Sequence, residues 1–400
     1  MRQRPKRPNR ARGEKSTLWL VFLWSGFFGV LAAVWRAIIA PSGPFSIRTW
    51  FHICVDVARA RLAAPSWNVR PLEQVTERAV AIVTGGNSGI GFETARGLWL
   101  AGYNVILACR SENRGQEACK QILETEMHPS ASAKRGTLTV LPLDLSELSS
   151  VVAFVERYHQ RWKTLDLLVL NAGIMSPFRY EETAQGYEAH LGVNHLAQYL
   201  LVRLLMDMLE QRRGRVVLVS SILALLADDL SWHGPQWSRQ GQWPFMAYGW
   251  SKAYNYMLSL ELQRRGLDAR CVHPGEVRTE VVRRLPSWVQ RAYTWIGSFV
   301  LRTPAEGAAT VLFACFAPLA DDADERAVST PSKSARTPSG NQSEQEVTAL
   351  TVAQREALIL DAGSRFLAMP LWMRAPANTQ QLWMLSEHAV EPYLRTSTGS

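Results

Sequence analysis

Cysteine is scarce and unpatterned. Five residues, Cys54, Cys109, Cys119, Cys271 and Cys315, are scattered through 400, with no CxxC pair and no histidine at metal-ligand spacing. That argues against a disulfide framework or a zinc site and for free, mostly core thiols in a reducing compartment. The main body also lacks a charge excess. The chain carries a net +9, but residues 1–16 hold seven Lys/Arg against one Glu, so +6 of it sits in that tail. The near-balanced remainder argues against a nucleic-acid-binding face. An apolar content of 47% is ample for a buried core, so a globular α/β protein is the default.

Residues 17–35 lack charge altogether, and apolar character resumes after Arg36 through Ala40. At 1.5 Å per residue the uncharged run spans about 28 Å, close to a hydrocarbon core. Trp19 and Trp35 stand near its ends, as interfacial aromatics do. The run is read as a transmembrane anchor over 17–40 rather than a cleaved signal peptide, because it is long and no small-x-small site closes it. The basic tail, residues 1–16, reads as a positive-inside flank that also meets anionic lipid. Arg36, Arg48, Arg59 and Arg61 follow the span and pull the orientation the other way. Residues 41–78, with four prolines and Trp50, Phe51 and Trp67, read as a membrane-hugging connector.

From residue 79 onward strands and helices alternate. Strands are expected at 79–84, 104–109, 138–143, 165–170, 215–220 and 269–272, with a closing one at 358–369. Helices are expected at 90–101, 113–127, 146–162, 183–211 and 245–265. Such alternation demands right-handed crossovers and a doubly wound parallel sheet, the Rossmann arrangement, with ligands at its carboxyl edge. The catalytic domain is placed at 79–320 and 355–385. A polar stretch at 321–354 reads as a disordered insertion and 386–400 as a C-terminal tail.

The first strand runs into Thr84-Gly85-Gly86-Asn87-Ser88-Gly89-Ile90-Gly91. Gly85 and Gly89 permit a tight turn and close approach of backbone amides to a pyrophosphate. Gly91 lets the next helix pack on the strand, and its N-terminus favours the anion. The spacing TGxxxGxG, rather than GxGxxG, resembles the short-chain dehydrogenase/reductase family. Four later motifs share the resemblance. They are Leu170-Asn171-Ala172-Gly173, with Leu170 in place of the family's first Asn; Ser220-Ser221; Tyr248-Gly-Trp-Ser-Lys252; and His273-Pro274-Gly275-Glu276-Val277-Arg278-Thr279. Gly192-Val193-Asn194-His195-Leu196, the stretch 302–308 and Gln381-Leu382-Trp383 share the flavour of the retinol-dehydrogenase-like, membrane-anchored branch.

The resemblance implies a nicotinamide cofactor held by Gly85, Asn87, Ser88, Gly89, Ile90, Gly91, Asn171, Ala172, Gly173, Tyr248, Lys252, Pro274, Gly275, Val277 and Thr279. Asp144, with Leu145, would meet the adenine; capping the next helix is the competing role for Asp144, though Ser146 suits a cap better. The second strand ends in Arg110, with no acid before Glu112. A cation there suits a 2'-phosphate, which favours NADP(H); the bland alternative is a solvated loop residue. Tyr248 and Lys252, at i and i+4, share a helix face. A free tyrosine titrates near ~10, and an adjacent ammonium is expected to draw it toward neutral pH. By resemblance Ser221 hydrogen-bonds the substrate oxygen, Tyr248 exchanges the proton, Lys252 binds the nicotinamide ribose, and Asn194 holds a water relay; His195 is read as structural.

Two departures bear on substrate. Ser221 and Tyr248 stand 27 positions apart with Trp232, Trp237 and Trp243 between them, and residues 285–302 add aromatics at roughly helical spacing. Both suit a cover over a lipophilic substrate beside a membrane, and both also suit ordinary packing. The reading is an NADP(H)-dependent oxidoreductase of an oily alcohol or carbonyl, of retinoid, steroid, polyprenyl or fatty aldehyde type. It is anchored in a membrane, with the endoplasmic reticulum as expected site, has no metal or nucleic-acid partner, and admits a homodimer. The runner-up is a non-catalytic scaffold or cofactor sensor, which has no need of the intact Ser-Tyr-Lys-Asn set.

Overall fold

A computed structural model describes residues 79–125, 135–176, 180–227, 230, 244–277, 301–318, 350–360 and 365–395. The expected tail, anchor and connector over 1–78, most of the insertion, Arg278 and Thr279, and the three loop tryptophans lie outside the described residues. No helix among the described residues is long and apolar enough to cross a membrane.

The first strand, β1 (Val80–Thr84), is β-branched and buried along its whole length, as a strand covered on both faces must be. It is followed by α1 (Gly89–Leu100), β2 (Asn104–Cys109), α2 (Glu112–Thr125), β3 (Leu138–Pro142), α3 (Leu148–Arg161) and β4 (Leu167–Leu170). A π-helical turn, Leu191–Leu196, leads into α4 (Ala197–Arg212). Next come β5 (Arg215–Val219), a 3-10 turn at Ile222–Leu226, α5 (Pro244–Arg264), β6 (Asp268–Val272) and α6 (Pro304–Phe316). The described chain closes with a helical turn (Val352–Arg355), β7 (Leu358–Leu360), β8 (Arg365–Leu367), a second turn (Leu371–Arg374) and α7 (Pro376–Arg395).

Eight strands form one sheet in the order β3-β2-β1-β4-β5-β6-β7-β8, parallel except for the last pair. The order reverses between β1 and β4, whose registered pairs include Ile82 with Leu168. A crevice for ligand opens at such a switch point, outside the carboxyl ends. Each face of the sheet carries its own apolar core. One is built on Ile82, Phe154, Leu200 and Tyr256, the other on Val83, Leu98, Leu107 and Val311. Gly97 lets α1 and α6 pack tightly, since a Cβ there would stand 2.6 Å from a methyl of Leu312. Thr303 and Glu306 close a capping box behind Pro304 and fix where α6 starts. Cys109, Cys119, Cys271 and Cys315 are buried free thiols.

Several boundaries differ from expectation. The helix expected from 183 begins later, because Gly186 is left-handed (φ +77°) and Thr183 closes a turn on Tyr187. The closing strand expected at 358–369 is two short strands, Leu358–Leu360 and Arg365–Leu367, paired antiparallel. The polar insertion ends earlier: Leu350 is buried and its amide donates to the Pro318 carbonyl. The helix α7 continues past residue 385, burying Val390, while the Tyr187 hydroxyl donates to the Ala389 carbonyl at 2.9 Å. Residues 386–395 therefore pack on the domain.

Candidate active site

The glycine turn lies at the carboxyl end of β1. Gly85 (φ +67°) and Gly89 (φ +56°) are both left-handed. The Gly85 amide donates to the Ala108 carbonyl at 2.7 Å, tying the turn to β2. Ser88 stands at the N-cap of α1 without a side-chain cap bond, and the first turn carries no carboxylate. A Cβ placed on Gly89 would meet nothing within 4 Å, so there is open space beside the start of this helix. These features fit a pyrophosphate, and Gly85, Asn87, Ser88, Gly89, Ile90 and Gly91 all lie in the turn and the start of α1 that would meet one. Arg110 is exposed at the neighbouring edge, one residue beyond β2.

The loop after β4 is tied to the same edge. Asn171 Nδ2 donates to the Thr84 carbonyl (2.9 Å), and the Ala172 amide donates to Thr84 Oγ1 (2.9 Å). Asp144 Oδ1 accepts from both the amide and the hydroxyl of Ser146. Ser146 is not the cap of α3, as Glu147 occupies that position.

Three elements bring the Ser-Tyr-Lys set together. Ser221 follows β5 and caps the 3-10 turn, its Oγ accepting from the Leu223 amide at 3.2 Å. The helix α5 approaches that turn closely at Gly249, where a Cβ would stand 2.8 Å from the Leu223 carbonyl. Tyr248 is thereby carried to Ser221, with which it shares a side-chain hydrogen bond. Lys252 is buried; its Nζ donates to the Val219 carbonyl (2.9 Å) and lies 5.6 Å from the Tyr248 ring centre. The first serine, Ser220, donates to the Lys252 carbonyl at 2.7 Å. Pro274, Gly275 and Val277 follow β6, where Arg302 donates to the Pro274 carbonyl and crowds the position of a Cβ on Gly275.

Asn194 sits in the π-helical turn, a wider winding common at functional sites. Its Oδ1 accepts from the Ile174 amide (2.7 Å), and its Nδ2 donates to the Ile174 carbonyl and to Ser251 Oγ. Gly173 separates Asn194 from Lys252, since one Cβ position there lies 3.1 Å from Asn194 Oδ1 and 3.2 Å from Lys252 Nζ. His195 is buried away from this set, paired with Ser386 Oγ at 2.8 Å, and desolvation lowers its imidazole to about 4. Glu188, His190, Gln198, Ser251 and Glu276 also surround the site and were not singled out from sequence. For His190, Asn194 and Gln198 the i, i+4, i+8 spacing was the available signal.

The electrostatics differ from the simple YxxxK expectation. The Tyr248 phenol is raised above its ordinary value, first by desolvation and then by the Glu276 carboxylate, against the Ser221 hydrogen bond. Desolvation also lowers Lys252 from 10.5 to about 8, opposed by the Cys271 thiolate form. Burial outweighs the neighbouring ammonium because both groups leave water together. Between about pH 8 and 10.5 the unfolded chain holds a proton that folded Lys252 has released. Stability contributed by this group therefore rises with pH across that window, by roughly 3 kcal/mol in full. Cys271, pushed up to about 12 by burial, acts with opposite sign above pH 9. The expected result is that wild type gains on Lys252→Met in thermal melts between pH 7.5 and 9.5; a flat difference would overturn the assignment.

A doubly wound sheet with a glycine-rich phosphate turn at its switch point defines a dinucleotide-binding α/β protein. The short chain dehydrogenase family profile matches residues 79–231. Retinol dehydrogenase 11 of Homo sapiens is 38% identical over 241 residues, covering 58% of this chain and 71% of that protein. Polyprenol dehydrogenase of Mus musculus is 39% identical over 254 residues, 60% and 72% of the two chains. In fold, an uncharacterised protein from Mycobacterium Paratuberculosis superposes with a TM-score of 0.55 at 25% identity, covering 81% of this chain and 97% of that one. The chain belongs to the short-chain dehydrogenase/reductase family, on its retinol-dehydrogenase-like side. It is thus an oxidoreductase of alcohols and carbonyls served by a nicotinamide cofactor.

Proposed function

We propose that the protein is a membrane-anchored, NADP(H)-dependent oxidoreductase that interconverts an alcohol and a carbonyl on a lipophilic substrate. The observation that carries this reading is the convergence of Ser221, Tyr248 and Lys252 beside the glycine turn at one sheet edge. A nicotinamide held at this edge would supply or accept the hydride. Ser221 Oγ and the Tyr248 hydroxyl orient the substrate oxygen, and Tyr248 exchanges the proton with it. Lys252 would hold the ribose and place a cation beside the phenol. Asn194, by fixing Ile174, keeps the loop through Gly173 in place against Lys252.

The exposed Arg110 at the end of β2, with no carboxylate before Glu112, supports NADP(H). The uncharged run at 17–35 supports a single-pass anchor, and the endoplasmic reticulum is the membrane we assign. The anchor and the retinol and polyprenol dehydrogenase relatives together support an oily substrate.

The test is a panel of retinaldehyde, a ketosteroid, a polyprenal and a long-chain fatty aldehyde on membranes carrying the full chain, with NADPH and NADH compared. Turnover with NADPH is expected to exceed that with NADH by about tenfold or more, and Arg110→Ala to close the gap by weakening NADPH alone. Equal or better turnover with NADH in wild type would overturn the cofactor assignment.

A further inference from the structure

The segment 172–176 is gripped by one helix face. His190, Asn194 and Gln198, at i, i+4 and i+8, bond to Ser176, Ile174 and Ala172, which alternate along the chain. The Ser176 amide donates to His190 Nε2 (2.8 Å), the Ile174 amide to Asn194 Oδ1 (2.7 Å), and Gln198 Nε2 to the Ala172 carbonyl (2.6 Å). The last rung differs from the others in carrying a buried ionisable pair. His190 and Glu188 are 0% and 1% exposed.

That pair fixes a tautomer. The Ser176 N–H can only donate, so His190 Nε2 must be the bare nitrogen and Nδ1 carries the proton. Nδ1 then donates to Glu188 Oε1 at 2.7 Å, while Glu188 Oε2 accepts from the Leu191 amide at 2.9 Å. The imidazole so oriented stands perpendicular to the Tyr248 ring, at 80° with the ring centres 6.0 Å apart. A carboxylate this deep is costly unless its acceptors are used, and here each oxygen has a donor.

We infer that Glu188 and His190 form a positioning pair for the acid/base step, holding the Tyr248 ring and the end of the segment 171–176 in the geometry that proton transfer requires. The inference rests on the reading of Tyr248 as the acid/base. The contacts of His190 run to Glu188, Ser176 and the Tyr248 ring, so its loss acts on turnover rather than on cofactor affinity. Misplacement of a reacting group by about an ångström can cost up to ~100-fold in rate.

The experiment compares His190→Asn with His190→Gln, using NADPH and the fastest aldehyde of the panel above. An Asn amide can still reach Glu188 but not Ser176. A Gln carbonyl reaches the Nε2 position and can accept from the Ser176 amide. Asn is expected to lower kcat roughly 10- to 30-fold, with KM and the NADPH Kd within about threefold; Gln is expected to recover most of kcat. Ser176→Pro removes the N–H while leaving the pair intact and is expected to behave like Asn. Without cofactor, hydrogen exchange over 171–176 should quicken in His190→Asn and not in His190→Gln. Wild-type kcat in Asn, equal losses in Asn and Gln, or a loss confined to NADPH affinity each overturn the proposal. Should His190→Asn not fold, full kcat in Ser176→Pro overturns it alone. An active Tyr248→Phe would instead remove the acid/base reading beneath it, whereas an inactive one beside an unaffected His190→Asn removes this inference only.

Discussion

Replacing Tyr248 with phenylalanine is expected to cut turnover by about 1,000-fold or more while NADPH binding stays within about threefold. Positioned proton transfer contributes about 10²–10⁴ to rate, and the phenol is the group placed to provide it. The variant keeps the ring, so the perpendicular contact with His190 and the approach of Lys252 survive. Only the hydroxyl and its hydrogen bond to Ser221 are removed. Ser221 Oγ still accepts from the Leu223 amide, so its orientation has a second anchor. A lost neutral hydrogen bond of this kind changes stability by about 1 kcal/mol, too little to unfold the domain. Steady-state turnover measured beside an NADPH binding titration separates the two effects. A variant retaining a tenth or more of wild-type turnover would overturn the assignment of Tyr248, and parallel loss of turnover and binding would point to a damaged fold.

The glycine turn was legible because TGxxxGxG is local: Thr84 to Gly91 folds back on itself, and its left-handed glycines are written in the sequence. The alternation of strands and helices that makes the sheet parallel was legible too, since strands buried on both faces read as continuous apolar runs. The i, i+4 spacing likewise put Tyr248 and Lys252 on one face. What sequence spacing does not carry is the dielectric around them. Their proximity suggested a phenol drawn down by an ammonium, but tertiary burial moves both groups toward their neutral forms, and Glu276 arrives from a distant loop. The pairing of Glu188 with His190 was equally hidden. It depends on a turn at Thr183–Tyr187 that ends in a left-handed Gly186 where helical periodicity ran on unbroken. The domain boundary was drawn at residue 385, with 386–400 read as a tail, although Val390 in that stretch is buried by α7, which runs to Arg395.

Gly91→Ala is expected to weaken NADPH binding by about 100-fold and to lower the melting temperature by several degrees. A Cβ at this position would stand 2.3 Å from the Gly85 carbonyl oxygen and 2.5 Å from Asn171 Nδ2. Neither neighbour can yield alone. Gly85 is pinned by its amide to the Ala108 carbonyl (2.7 Å), and Asn171 by Nδ2 to the Thr84 carbonyl (2.9 Å). Overpacking of this kind costs about 1–3 kcal/mol. The better helix propensity of alanine returns at most about 1 kcal/mol. The clash therefore wins, and relieving it moves the turn whose amides would meet the pyrophosphate. Gly97→Ala is the matched control on the same helix. Its Cβ would press at 2.6 Å on Leu312 Cδ1, the end of a side chain that can rotate, on the side facing α6. That variant should lose some stability and keep NADPH affinity within about threefold, because the glycine turn is untouched. Equal loss of affinity in the two variants would mean that Gly91 serves only helix packing. Retained affinity in Gly91→Ala would remove the glycine turn from the cofactor site.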